Sequence, residues 1–301
     1  MRTRIIFGLL LAAALAAMLW LDLHKDWRGA PLCLVAMALT GAALHEFFAM
    51  VRNVGLVPFR LTGMGFGIVL LPYYVWTEEL ESPLGPQALT AFLLAPLLLL
   101  VLALMARAYT RSEGFGPQLK NIAVTLFGVI YIAVPMAFLI LARFLTETTG
   151  GNKEGWDLVM LVVAVTKSSD VGAYFVGTLI GKHKLAPTVS PNKTVEGAIG
   201  GIVMSVAAAL IMVYGMKIKT FTNLEYELIA TISFGIVVGI ASLLGDLTES
   251  FIKRGTNIKD SGNLLPSFGG VLDLVDSFLV SAPVAYFMLA IFVKFTTQVA
   301  A

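Results

Sequence analysis

The stretch from Ser242 to Ser277, SLLGDLTESFIKRGTNIKDSGNLLPSFGGVLDLVDS, gathers five carboxylates (Asp246, Glu249, Asp260, Asp273, Asp276) and three cations (Lys253, Arg254, Lys259) in a chain that is otherwise strongly apolar. Apolar spans flank it, so part of this charge must sit at membrane depth. An unpaired carboxylate at the bilayer centre costs roughly 2.5–3.5 kcal/mol on insertion scales. These groups must therefore face water, a cation or a metal. Asp246 and Glu249 fall on one helical face, and Glu249 precedes Lys253 by one helical turn, the spacing of an ion pair. Asp273 and Asp276 repeat the first spacing where the last apolar run begins, so both can aim at one cation. Magnesium takes oxygen ligands, keeps waters and uses one or two carboxylates together with substrate phosphates. Between the acidic pairs, Gly262, Pro266, Gly269 and Gly270 make a loop whose backbone can approach a ligand closely. A metal to gather phosphates and cations to hold developing charge are what phosphoryl or nucleotidyl transfer needs. A solvated charged loop is the plainer alternative, and the density of charge argues against it.

Two further polar clusters lie upstream. In KSSDVGAYFVGTLIGKHKLAP, residues 167–187, Lys167 and Asp170 are three apart on one face, within reach of an intrahelical ion pair. Asp170 is either half of a self-neutralising pair or the lining of a polar cavity. In SPNKTVEG, residues 190–197, Pro191 with Asn192 or Thr194 as cap reads as a helix opening. Free N–H groups at a helix start attract phosphate, and Lys193 adds a full positive charge there. The histidines, His24, His45 and His183, stand apart, so zinc is not expected. Cys33 is the single cysteine, which excludes a disulfide framework.

The elements that must position these groups are membrane helices. The chain is 58% hydrophobic and 13% charged over 301 residues, with mean hydropathy +0.86. Soluble domains carry about 25% charged residues. The net charge of +2 gives no reason to expect nucleic acid. Apolar runs near the length of about 20 residues needed to span predict an all-α polytopic bundle of nine transmembrane helices. They fall at 4–22, 30–50, 62–78, 88–107, 121–145, 157–181, 194–216, 227–250 and 271–295. The third is the weakest, being interrupted by Gly63, Gly65, Gly67 and Pro72; Pro96 and Pro135 predict kinks in the next two. The first also resembles a signal peptide, although its apolar run, Ile5 to Leu21, exceeds the usual 7–15 residues or so.

Lys/Arg placement sets the expected orientation. With the N-terminus inside, the cytoplasmic ends hold Arg2, Arg4, Arg52, Arg60, Arg107, Arg111, Lys120, Lys182, Lys184, Lys193, Lys253, Arg254 and Lys259. The opposite ends hold only Lys25, Arg28, Arg143, Lys153, Lys217, Lys219 and Lys294, so N-inside, C-outside is favoured. Polarity divides the chain into residues 1–145, a scaffold with lipid or oligomer contacts, and 146–301, which carries the chemistry. Small residues recur every four positions at Ala173, Gly177 and Gly181, at Gly197, Gly201 and Ser205, and at Gly235 and Gly239. Such stripes let helix backbones approach in lipid.

At these residues the chain resembles the phosphatidate cytidylyltransferase (CDP-diacylglycerol synthase) family. The shared pattern is S-x-x-G-D, E-S-x-x-K-R, K-D-x-G, P, G-G and D-x-x-D-S. Here it comprises Ser242, Gly245, Asp246, Glu249, Ser250, Lys253, Arg254, Lys259, Asp260, Gly262, Pro266, Gly269, Gly270, Asp273, Asp276 and Ser277. Upstream, D-x-x-A-Y-x-x-G matches at Asp170, Ala173, Tyr174 and Gly177, and K-L-A-P with S-P-x-K-T-x-E-G at Lys184–Pro187 and Ser190–Gly197. The similarity is specific over about residues 167–285; before 145 it rests on the pattern of spans. Two positions depart: Phe268 and Leu274 stand where the family often has histidine and arginine. No imidazole base is therefore expected there, and a phosphate dianion is already nucleophilic.

The resemblance implies CMP transfer from CTP to phosphatidate, releasing pyrophosphate. It implies Asp246, Asp273 and Asp276 as magnesium ligands, with a second cation such as potassium, and Asp260 and Lys259 completing the catalytic set. Lys193, Lys253 and Arg254, with Ser190, Thr194, Asp170, Gly269 and Gly270, would bind the phosphates of CTP and phosphatidate. The expected setting is a bacterial inner membrane with the site facing the cytoplasm, and the expected assembly a homodimer. A CTP-dependent lipid kinase of the dolichol-kinase type and a cation transporter using the carboxylates as its path are the rival functions. Transporters tend to show broken helices in both halves, whereas here polarity lies in one.

Overall fold

The computed structural model describes residues 29–79, 86–110, 114–146, 151–258, 261–262 and 269–300. The first expected span lies outside these residues, as do Lys259, Asp260, Pro266 and Phe268. The helices are α1 (Ala30–Arg52), α2 (Arg60–Glu79), α3 (Pro86–Tyr109), α4 (Phe115–Gly128), α5 (Val134–Leu141), α6 (Gly151–Ile180), α7 (Val195–Met216), α8 (Lys219–Thr222), α9 (Glu227–Gly255), α10 (Leu272–Val275) and α11 (Phe278–Ala300). A π-helical turn (Val129–Ala133) joins α4 to α5, and β1 (Lys184–Ala186) and β2 (Ser190–Thr194) form a hairpin between α6 and α7. Among the described residues, six segments are long and apolar enough to cross a membrane: Ala30–Arg52, Phe115–Leu141, Glu154–Ile180, Val195–Met216, Glu227–Gly255 and Leu272–Thr296. The protein is an all-α polytopic membrane protein.

Two details depart from the expected spans. The π turn comes immediately before Pro135, whose ring removes the N–H that would bond the Tyr131 carbonyl, so the ladder changes register there. The last run is not one helix. Helix α10 ends at Val275, Asp276 and Ser277 form a turn, and α11 starts at Phe278. Asp273 and Asp276 therefore do not share a helical face.

The chain forms two compact units. The first comprises Gly29–Ala137 with Gly255–Val275, and the second Phe138–Arg254 with the chain from Asp276 onward. In the first unit, α2 packs on α1 through the glycines that made its span look weak. A Cβ at Gly63 would lie 2.7 Å from Phe48, and one at Gly67 would lie 2.5 Å from Leu44. Asn121 and Thr125 of α4 accept the N–H groups of Val57 and Phe59, each at 2.9 Å, which satisfies the backbone of the α1–α2 loop. The segment after Gly255 returns to this unit and lays α10 against α1.

In the second unit, α6 and α7 run antiparallel at very close range. A Cβ at Gly197 would come within 2.9 Å of the Ala173 carbonyl oxygen and 3.2 Å of Gly177 Cα; one at Gly201 would come within 2.9 Å of the Ser169 carbonyl oxygen. Helix α9 joins them, with Gly235 against Val206 and Gly239 against Ser205. The expected small-residue stripes are thus helix contacts. Arg143, expected at an outer loop, is instead fully buried with its guanidinium 5.8 Å from the rings of Phe144 and Trp156.

Candidate active site

The polar groups of the second unit converge because close-packed helices carry them to one level. Lys167 and Asp170 stand on α6 and pair at 3.0 Å, as their spacing predicts. Lys167 also donates to Ser277 Oγ at 2.8 Å and lies 4.8 Å from the centre of the Phe278 ring. Ser242, fully buried on α9, donates to Asp170 Oδ1 at 3.2 Å and to the Thr166 carbonyl at 3.3 Å. One turn further along α9, Gly245 leaves room for the Asp276–Ser277 turn: a Cβ there would lie 2.5 Å from the Asp276 carbonyl oxygen. Asp276, almost entirely buried, is within electrostatic reach of Asp246, Lys167 and Asp170, and its Oδ1 accepts the N–H of Ser277.

The β hairpin brings the second lysine. Its strands pair Lys184 with Thr194 and Ala186 with Ser190. Thr194 then caps α7, its hydroxyl accepting the Gly197 N–H at 3.1 Å. The expected helix start is confirmed at Thr194, whereas Asn192 lies in strand β2 and caps nothing. Glu196, in the first turn of α7, accepts the N–H groups of Lys182 and His183 at 3.0 and 3.2 Å and meets His183 Nδ1 at 2.6 Å, tying down the other end of the hairpin. Arg254 Nε donates to the Val189 carbonyl at 3.2 Å and braces the hairpin turn.

So held, Lys193 reaches Asp246 of α9 at 2.8 Å. Its ammonium is buried and makes an ion-pair contact without an aligned hydrogen-bond acceptor among the described residues. An ammonium has three N–H donors, so the contact with Asp246 leaves others for an incoming anion. Both residues line a cavity of about 590 Å³, with Asp170, Ser190, Asn192 and Thr194 also in its wall. Asp170 pairs with Lys167 and Asp246 with Lys193, and Asp276 brings a third carboxyl group close to both pairs. The cluster therefore offers an anion-binding cation beside acidic oxygen.

The profile of the Cytidylyltransferase family matches residues 2–292. This chain belongs to that family. A phosphatidate cytidylyltransferase of Bacillus subtilis (strain 168) is 34% identical over 274 residues, covering 84% of this chain and 97% of the relative. One from Chlamydia muridarum is 37% identical over 184 residues, 60% of this chain and 59% of the relative. One from Staphylococcus aureus (strain COL) is 30% identical over 265 residues, 87% and 90% of the two chains.

Other residues of the family pattern have structural work. Glu249, fully buried, pairs with Lys253 as the spacing predicts. In the first unit, Asp273 Oδ2 accepts the N–H of Gly270 at 2.7 Å, and the hydroxyl and N–H of Ser261 at 2.8 and 3.3 Å. Asp273 thus clasps the two ends of the glycine loop, while Asp276 belongs to the second unit. Gly269 takes φ +91°, a left-handed conformation that favours glycine. Gly262 and Gly270 are glycine for another reason: Glu46 of α1 lies against both. Glu46 was missed on sequence, although one signal was present. A carboxylate inside an apolar span is rarely idle.

Proposed function

We propose that this protein is a phosphatidate cytidylyltransferase, transferring CMP from CTP to phosphatidate to give CDP-diacylglycerol and pyrophosphate. Family membership and the named relatives support the reaction, and the buried Lys193 ammonium in the cavity wall is the observation that carries the reading. A phosphate oxygen of phosphatidate attacks the α-phosphorus of CTP. The new P–O bond forms as the α–β bridging bond breaks, and the electron pair leaves with pyrophosphate. Lys193 would hold the negative oxygens that gain charge in this step, and Asp246 fixes where its ammonium points. Lys167, bonded to both Asp170 and Ser277, keeps α6 and the Asp276 turn in register.

Among the described residues no three His, Cys, Asp or Glu side chains form a ready metal cage. The donor set fits magnesium nonetheless, which needs only one or two carboxylates beside phosphate and water. Asp246 and Asp276 would hold the ion, which when bound would neutralise charge on the phosphates and so lower the barrier. The resemblance adds Asp260 and Lys259 to the catalytic set, together with a second cation. The site would open to the cytoplasm, where CTP is available.

The deciding experiment supplies the purified protein in detergent with phosphatidate and CTP labelled at the α-phosphorus. Label should pass to the lipid as CDP-diacylglycerol, with unlabelled pyrophosphate released. In a parallel reaction supplied with a lipid alcohol such as diacylglycerol, label remaining in free CDP beside the phosphorylated alcohol would establish the kinase instead and overturn the proposal.

A further inference from the structure

Arg60, the first residue of α2, turns its guanidinium onto His45 of α1: Nη2 donates to the imidazole Nδ1 at 2.8 Å. His45 stands seven residues before Arg52, the end of α1, which is about 10 Å along the axis at about 1.5 Å per residue. Arginines near the ends of membrane helices ordinarily snorkel outward and keep the charged head in water. This one is held back along a helix long and apolar enough to span. His45 belongs to an exposed stripe of α1 with Leu34, Ala38 and Ala49, and Leu61 beside Arg60 is exposed as well. The couple therefore sits on a surface that meets lipid.

Its chemistry is one-sided. A guanidinium only donates, so Nδ1 is the acceptor and His45 carries its proton on Nε2. The imidazole N–H and the unused N–H groups of the Arg60 fork are then all donors, and a neutral imidazole does not balance the arginine's charge. Among the described residues no carboxylate bonds to either side chain. Glu46, next to His45 in sequence, gives its oxygens to Ser261, Val271 and Leu272 instead. An unbalanced charge at membrane depth is costly, and the anion that a bilayer brings to the ends of its helices is lipid phosphate. Guanidinium groups hold phosphate through paired N–H bonds. A phosphate monoester carries about −1.5 to −2 charge near neutral pH, so it is held more strongly than a singly charged diester.

We propose that Arg60 and His45 form a binding site, within the first unit, for the phosphate of a monoester lipid of the phosphatidate class. The site stands on α1 and α2 alone and does not depend on CMP transfer.

The test counts dioleoyl-phosphatidate retained by the purified full-length chain in detergent, by native mass spectrometry over a lipid titration. Lys193→Met is the background throughout, so that the cavity around Lys193 contributes less to the count. Arg60→Gln should weaken retention at least about fivefold, because bonds to a charged phosphate are lost. His45→Phe keeps the net charge and a flat ring; it should weaken retention at least about threefold, since Arg60 loses its anchor and the site its imidazole N–H. Arg107, which donates to Thr62 of α2 at 2.8 Å, supplies the control. Arg107→Gln removes the same charge from the same end of α2 and should stay within about twofold. Phosphatidylglycerol, a diester, should be retained less than phosphatidate, and an excess of inorganic phosphate should leave the bound lipid in place. If Arg60→Gln does not accumulate as folded protein, His45→Phe set against Arg107→Gln decides. Equal losses in Arg60→Gln and Arg107→Gln, or no loss in folded His45→Phe, would reduce the effect to diffuse positive charge and overturn the proposal. Equal retention of phosphatidylglycerol, or displacement of the lipid by inorganic phosphate, would overturn it as well.

Discussion

Replacing Asp246 by Asn keeps the side chain's shape, removes one negative charge and leaves the Lys193 ammonium facing an amide. Two unit charges 2.8 Å apart attract by about 6 kcal/mol at an effective dielectric constant of about 20. Desolvation takes back most of this. Exposed pairs are worth about 0.2–1 kcal/mol, whereas breaking a buried pair costs about 3–5 kcal/mol. Lys193 is 18% exposed and Asp246 38%, so the cost to folding lies between those limits, about 1–3 kcal/mol. A chain with an ordinary stability of about 5–15 kcal/mol remains folded after that loss. Catalysis should suffer more, because Asp246 both aims Lys193 and would contribute to the metal shell. Metal stabilisation of transition-state charge is worth several kcal/mol, and about 2.7 kcal/mol is already a hundredfold in rate. The expected result is a fall of about a hundredfold or more in CMP transfer, in protein that stays monodisperse by size exclusion. Lys193→Met, which removes the ammonium proposed to meet the phosphates, should instead raise the KM for CTP about tenfold. The double variant restores electrical balance, so it should recover stability without recovering activity. Folded Asp246→Asn protein with more than about half of wild-type turnover at saturating magnesium, or a double variant that regains activity, would refute the reasoning.

Asp276→Asn preserves the oxygen that accepts the Ser277 N–H and removes a carboxyl group proposed to hold the metal; turnover measured as above should fall about a hundredfold, and near-normal turnover would mark Asp276 as merely structural. Gly201→Leu drives a side chain into the Ser169 carbonyl. It should cost at least about 1–3 kcal/mol, read as a lower fraction of monodisperse protein after heating; unchanged thermal behaviour would sink the close-packing account. Asn192 is exposed in β2. In a Cys33→Ala background, Asn192→Cys should react with an impermeant thiol reagent only once the inner face is opened, and labelling of intact cells would reject the cytoplasmic placement.

Local relations were legible in the sequence because a helix dictates which neighbours meet. Lys167 with Asp170 and Glu249 with Lys253 pair as their three- and four-residue spacings require. The small-residue stripes showed which faces of α6, α7 and α9 would be contacts. Composition alone determined a polytopic membrane chain, since so much apolar surface with so little charge has no other stable setting. The same local logic failed at Asp273 and Asp276, because the turn at Asp276–Ser277 breaks the helical period on which their shared face depended.

Only the tertiary structure decided which distant groups meet. Lys193 finds Asp246 because a hairpin, fastened by Thr194, Glu196 and Arg254, delivers it to α9. The glycines of the signature were readable as a place of close approach, yet not what approaches them. That is Glu46, more than 200 residues away along the chain from the backbone it caps. Residue spacing carries the period of one element, while the partner of a buried carboxylate depends on which two elements pack and at what depth.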